Sequence, residues 1–300
     1  MKSVLSPQVK QSVITQLRNY AKLMRIDKPI GIWLLMWPTL WALWLAGKGH
    51  PDQWLFVVFV LGVFIMRSAG CVLNDYVDRK IDPYVERTRT RPIACGAVAP
   101  AEALVLFIAL SLIAIGLATM LNRPARLLAI VAAGLTLAYP FIKRVVSIPQ
   151  FVLGAAFGWA VPMAFAAQTG ETPQLAWLLF GAALVWAVIY DTFYAMVDRE
   201  DDRKIGVKST ALLFGEVDLF VIAGLQLLML VALTFVGLRA ELGFWYFASV
   251  VGAAALMAYH QWLARDRQPA GCFAAFSHNH TIGFVVFVGI VLHYTFTPGL

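Results

Sequence analysis

The sequence predicts an all-α fold that crosses a membrane many times, and three observations predict it. Hydrophobic residues make up 60% of the 300 and charged residues only 14%, against roughly a quarter charged in a soluble domain. Apolar runs of about 18 or more residues recur from end to end, the length a bilayer-spanning helix needs. The polar–apolar alternation of an outer-membrane barrel is missing.

Nine spans are predicted in order, at about residues 29–47, 53–74, 102–121, 125–142, 148–168, 174–194, 213–238, 242–263 and 279–297. At about 20 residues each they use roughly 180 positions. Little is left for a soluble unit, so residues 1–300 read as one membrane-embedded domain with a segment 1–28 before the first span. In that segment Val9, Val13, Leu17 and Tyr20 fall at helical spacing among Lys and Arg, which suits an interfacial helix. The first apolar run starts too late for a cleavable signal. Pro29, Pro38, Pro140 and Pro162 bend or start helices. The tryptophans of WPTLWALW (37–44) are expected as interfacial anchors. In the fifth span Gly154 and Gly158 are spaced for close helix packing.

Basic residues orient the chain. Nineteen of the 24 Lys and Arg fall in the N-terminal segment and the loops after the second, fourth, sixth and eighth spans. The N-terminus is therefore expected in the cytoplasm of a bacterial inner membrane. The net charge of +7 is accounted for by this topology, with no nucleic-acid partner implied and no protein partner evident. Cys71, Cys95 and Cys272 are odd in number and lack metal-ligand spacing. His278 and His280, two apart, do not share a helical face.

The chemistry lies in the acids. Nine of the 17 occur in two short stretches: Asp75, Asp78, Asp82 and Glu86, then Asp191, Asp198, Glu200, Asp201 and Asp202. VDRKID (77–82) and VDREDD (197–202) share the frame V-D-R-x-x-D, a weak internal repeat. Residues four apart share a helix face. Asn74, Asp78 and Asp82 thus form one row, with Arg67 seven residues back, and Asp198 and Asp202 form another, with Asp191 seven back. A carboxylate deep in a span costs about 2.5–3.5 kcal/mol on insertion scales, so those flanked by apolar helix should serve a wet cavity. Arg79, Lys80, Arg87, Arg89, Arg91, Lys143, Arg144, Arg203, Lys204 and Lys208 interleave them. A cation pathway alone would not gather so many cations. Mg²⁺ bound with a polyanion would want both signs, because Mg²⁺ takes carboxylate and amide oxygens and is completed by substrate phosphates. Arg and Lys hold the remaining phosphate oxygens. With apolar walls around it, such a site suits a polyprenyl pyrophosphate.

At these residues the sequence resembles the UbiA-type intramembrane prenyltransferases. Their N-D-x-x-D-x-x-x-D and D-x-x-x-D patterns read here as NDYVDRKID (74–82) and DREDD (198–202). LMRIDKPIG (23–31), YPFIKR (139–144), VLGAAFGWAVPMAFAA (152–167) and YDTFYAMVDREDDRKIGVKSTALLFG (190–215) resemble the 4-hydroxybenzoate branch, which serves ubiquinone biosynthesis. The resemblance implies nine helices around one central cavity, Mg²⁺, a polyprenyl pyrophosphate donor, 4-hydroxybenzoate as acceptor and membrane lipid as surroundings. It places Asn74, Asp78, Asp198 and Asp202 on the metal and pyrophosphate, with Asp75 and Asp82 in the same motif. Lys143, Arg144, Lys204, Lys208 and Arg67 are expected to hold the departing pyrophosphate. Asp191, with Tyr194 beside it, is expected either to orient or deprotonate the phenol or to join the metal shell. Arg25 is expected to hold the acceptor carboxylate or else to pair with Asp27. A prenyltransferase with another aromatic acceptor and a secondary transporter are the rival readings, a scaffold the weakest.

Overall fold

A computed structural model of the chain describes residues 7–142, 146, 148–206 and 209–297, the side chains of 7–10, 12 and 205 excepted. Among these residues all regular structure is helical. In chain order the helices are α1 (Pro7–Leu23), α2 (Ile30–Ala46), α3 (Gln53–Asp78), α4 (Pro100–Thr119), α5 (Arg123–Ile142), α6 (Pro149–Gly158) and α7 (Ala160–Thr169). There follow α8 (Gln174–Val197), α9 (Arg199–Ile205), α10 (Thr210–Phe214), α11 (Asp218–Arg239), α12 (Phe244–Ala264), α13 (Pro269–His278) and α14 (His280–Phe296).

The chain is an integral membrane protein, with seven described helical stretches long and apolar enough to cross a bilayer, not nine. All nine predicted spans coincide with helices. Of the two that fall short, α2 has only 17 residues and α12 carries the polar pair His260 and Gln261 near its C-terminal end. One predicted span is also broken: the fifth divides at Trp159 into α6 and α7. The ninth, expected at about 279–297, matches α14, and a further short helix, α13, precedes it and meets it at Asn279. Freed backbone groups inside a bilayer need partners. Asn279 is fully buried, donates to Ala275 O at 2.8 Å and accepts from Trp186 Nε1 at 3.1 Å.

Helix α8 sits at the centre, packed by α6, α11 and α13, and buries Trp186, Ile189, Tyr190 and Phe193. Lipid tails are as apolar as leucine, so close packing rather than the hydrophobic effect joins such helices. Gly154 and Gly158 bear this out, since a β-carbon at either would press on α8 at Leu184 or Phe180. The tryptophans of α2 correct the expectation of interfacial anchors. Trp41 is fully buried, stacks on Trp186 at 5.4 Å and donates to Gly283 O at 2.9 Å. Trp37 is 8% exposed. In contrast α4 and α5 bury few side chains and present Val105, Leu112, Leu127 and Ile130 outward, as lipid-facing helices should.

Candidate functional site

Helix α3 brings the first motif to one end of the bundle and stops at Asp78. The row Asn74–Asp78–Asp82 is therefore interrupted, because Asp82 opens a separate 3₁₀ turn, Asp82–Tyr84. Its carboxylate is clamped by Arg91 Nη1 at 3.1 and 3.0 Å. Burial raises its pKa and Arg91 opposes the rise. Asp75 is 1% exposed and is held by Arg91 at 3.1 Å and by Arg25 Nη2 at 2.9 and 3.0 Å. Two of the three aspartates are thus braced by arginine, and Arg91 ties them together. Arg25 pairs with Asp75, not Asp27, and its Nη1 donates to Lys22 O at 3.0 Å. With φ at 59° its backbone lies in the left-handed region. Asp78 is 8% exposed and within electrostatic reach of Asp82 and Tyr139.

The second motif straddles a helix break. Helix α8 ends before Asp198 and α9 starts after it. One turn still spans the break, since Asp202 N donates to Asp198 O at 2.8 Å, so the predicted row Asp198–Asp202 holds. Arg87, from the α3–α4 loop, grips Asp198 through Nε and Nη2 at 2.7 and 2.6 Å. It also donates to Tyr194 Oη at 2.5 Å and stacks over that ring at 4.7 Å. Burial opposes its charge, but Tyr194 and Asp198 outweigh this and hold it protonated well above the ordinary range. The sequence counts Arg87 among the cations that interleave the acids but gives it no role of its own. Lys204 was placed in the site and is not brought in: it is 72% exposed and pairs with Asp201 on the solvent side of α9. Lys143, Arg144 and Lys208 lie outside the described residues.

A cavity of about 1090 Å³ opens beside Asn74 and Asp75 of the first motif and Arg87, the partner of Asp198, and runs down the bundle. Lys22, Arg25, Asp27, Lys28, Arg87 and Arg91 line its mouth. Asn74, Asp75, Arg67, Tyr190, Asp191 and Tyr194 line its middle. Beyond them the walls are apolar and reach Val58 and Phe59 of α3, Leu117 of α4, and Leu121. Asp78, Asp82, Asp198 and Asp202 are not among its lining. Arg67 Nε and Tyr190 Oη are buried and find no hydrogen-bond partner among the described residues. Tyr190 and Tyr139 feel the charges of Asp191 and Arg67, so a polar island sits inside the apolar walls. Arg67 packs against Gly31, where a β-carbon would collide with its guanidinium and make it shift. Gly31→Ala is therefore expected to displace Arg67 and raise the KM of the substrate that this guanidinium contacts about tenfold, an effect of roughly 1.4 kcal/mol. An unchanged KM in steady-state assays would refute this.

The donors suit a hard divalent cation in kind. Around the two rows they are carboxylate and amide oxygens, the ligands Mg²⁺ prefers. No three described His, Cys, Asp or Glu side chains form a ready-made metal cluster. Asp202 is pushed up to about 6, chiefly by burial and further by Asp198 and Asp201, a repulsion that a cation would relieve. Because the shift is upward from 3.8, the group's stabilising contribution is full below that value and is lost as pH rises through about 6. Added Mg²⁺ should consequently raise the melting temperature more at pH 7.5 than at pH 5. Equal shifts at both pH values in a thermal scan would count against Asp202 as a ligand.

The model of the UbiA prenyltransferase family matches residues 35–288. The 4-hydroxybenzoate octaprenyltransferase of Nitrosococcus oceani is 56% identical over 275 residues, covering 92% of this chain and 96% of its own. That of Saccharophagus degradans is 54% identical over 273 residues, covering 91% of each. Among solved structures, the apo form of a UbiA homolog from Aeropyrum pernix K1 superposes with a TM-score of 0.77 at 26% identity, over 87% of this chain and 97% of that one. A UbiA homolog from Archaeoglobus fulgidus bound to GPP and Mg²⁺ shares the fold, with a TM-score of 0.68 at 19% identity over 89% of this chain and 99% of that one.

Proposed function

Because the chain belongs to the UbiA prenyltransferase family, we propose that it transfers a polyprenyl group from polyprenyl pyrophosphate to 4-hydroxybenzoate, at the ring carbon ortho to the hydroxyl, in ubiquinone biosynthesis. The observation that carries this reading is the cavity, which joins a polar end lined by Asn74 and Asp75 of the first motif and by Arg87, the partner of Asp198, to an apolar passage reaching Leu121. The polar end suits a pyrophosphate and the passage suits an isoprenoid tail. The reading treats residues 1–300 as one catalytic unit in a bacterial inner membrane. The excess of Lys and Arg at the motif end argues for a cytoplasmic mouth.

Asn74, Asp78, Asp198 and Asp202 would hold Mg²⁺, which when bound supplies charge neutralisation of the pyrophosphate leaving group. Asp75 and Asp82 are better read as braces, since they are almost fully buried against Arg25 and Arg91, whereas Arg87, one-third exposed, would pass from Asp198 to the phosphate oxygens and leave that carboxylate to the metal. Arg87, with Lys143, Arg144 and Lys208, would bind the phosphate oxygens as the allylic C–O bond breaks and its electron pair leaves with the pyrophosphate. The apolar walls exclude water from the allylic cation. Its electrophilic carbon bonds to the ring, which then loses a proton. Arg25 is spent on Asp75, so the acceptor carboxylate is better assigned to Arg67, which lines the cavity and whose buried Nε has no hydrogen-bond partner among the described residues. Asp191 lines the same stretch and would orient or deprotonate the phenol. Tyr194 holds Arg87 at the mouth.

The test uses purified protein in detergent with Mg²⁺, geranyl pyrophosphate and 4-hydroxybenzoate. A 3-prenylated acid seen by mass spectrometry and abolished by chelator is the expected result. Failure with this and longer donors, while naphthoate or homogentisate is prenylated, would move the chain to another acceptor. Failure with every acceptor, together with ion-coupled uptake in liposomes, would mean a transporter.

A further inference from the structure

A second ionic cluster lies outside the cavity and has no part in the chemistry above. Asp218, the first residue of α11, is fully buried. Arg199 Nη2 donates to its Oδ2, and Arg267 Nε donates to its Oδ1 at 3.0 Å. The Leu219 amide donates to Oδ1 at 2.6 Å. Arg267 also reaches Glu216 O at 2.6 Å through Nη2. Arg267 has φ at 53°, so the α12–α13 connection turns through a backbone conformation that side chains disfavour. That turn delivers the guanidinium to Asp218. A buried carboxylate held by two arginines and a helix N-terminus demands a fixed geometry.

The position of the cluster gives it a consequence. Arg199 is the residue directly after Asp198, at the break where α8 hands over to α9. One side of that break faces Arg87 and the cavity mouth, through Asp198. The other side is tied to the start of α11 and to the α12–α13 connection. We infer that Asp218, acting through Arg199, is a positioning residue that sets the orientation of Asp198 and Asp202 for metal binding. This rests on the reading of those two aspartates as Mg²⁺ ligands. Groups that orient metal ligands from behind typically contribute about 10- to 100-fold in metal affinity.

The experiment compares wild type with Asp218→Asn, Arg267→Gln and the double variant Arg199→Gln/Asp218→Asn, each as the full chain in detergent. Mn²⁺ binding is followed by electron paramagnetic resonance in the presence of a non-hydrolysable prenyl pyrophosphate analogue. The Mg²⁺ dependence of prenyl transfer and the acceptor KM are measured alongside. Asp218→Asn is expected to weaken Mn²⁺ binding and raise half-saturating Mg²⁺ by about tenfold, with the acceptor KM unchanged. Arg267→Gln, which leaves the Arg199 contact intact, should shift the same quantities in the same direction by less. The double variant should recover most of the melting temperature, because the charge left without a carboxylate is Arg267, which is one-third exposed and keeps Glu216 O, yet keep the raised metal requirement. That separation is what a purely structural role would not produce. Metal affinity at the wild-type value in the double variant and in Arg267→Gln would overturn the inference, even if Asp218→Asn failed to fold. If wild type itself bound no Mn²⁺ and made no product, it is the metal assignment that would fail.

Discussion

Replacing Asp78 or Asp198 with alanine is expected to reduce prenyl transfer at least about a hundredfold, beyond the upper range for residues that only orient metal ligands. The two residues sit on separate segments, Asp78 at the end of α3 and Asp198 between α8 and α9. Only a ligand contacting both motifs makes either change so costly. In Asp198→Ala the Arg87 side chain, one-third exposed, loses its partner but can turn to solvent, so the fold should tolerate the change. Asp75→Asn and Asp82→Asn provide the contrast. Their oxygens are engaged by Arg25 and Arg91, and losing them should lower the melting temperature more than it raises half-saturating Mg²⁺. The decisive measurement is kcat/KM for the donor across a Mg²⁺ titration, with a thermal melt of each variant. Full activity in either alanine variant would sink the two-motif site.

The helices were legible because each apolar run is long enough to need no other explanation. Their breaks were not. Trp159 and Asn279 sit inside or against apolar sequence, and the groups that make a break tolerable, such as Trp186 reaching Asn279, are nearly a hundred residues away. The aspartate rows show the same limit. Spacing of four predicts a shared face only while the helix lasts, which holds for Asn74 and Asp78 and lapses before Asp82. The Asp198–Asp202 turn survives a break that the sequence did not reveal. Long-range pairing was the least legible. The alternating arginines 87, 89 and 91 look equivalent in sequence, yet one grips the second motif, one pairs with Glu86 on the surface and one ties Asp75 to Asp82. Arg25, expected to hold the acceptor carboxylate or pair with Asp27, lines the cavity. What the sequence could not show is that Asp75 would already occupy it.

That third arginine carries the other large effect. Arg91 is 17% exposed and bridges two carboxylates that are themselves almost fully buried. Breaking a buried pair from one side is expected to destabilise the fold by about 3–5 kcal/mol, because a charge is left without a partner. Arg91→Ala should fall near 3 kcal/mol, since Arg25 still holds Asp75 and Asp82 is the residue orphaned. Arg91→Lys should recover part of the loss, because Nη1 alone makes every contact to Asp75 and Asp82, a point contact that an ammonium can partly reproduce. The pH dependence identifies the orphan. Burial already raises Asp82 in the intact protein against the pull of Arg91, so removing Arg91 raises it further. A protonated Asp82 needs no cation, so the deficit of Arg91→Ala should narrow as pH is lowered from 7.5 to 5. Paired melts of wild type and variant at the two pH values measure this directly. A deficit below about 1 kcal/mol, the range of exposed pairs, would mean that the brace is a surface contact. A deficit that stays constant with pH would place the cost in lost packing of the arginine stem rather than in the charge on Asp82.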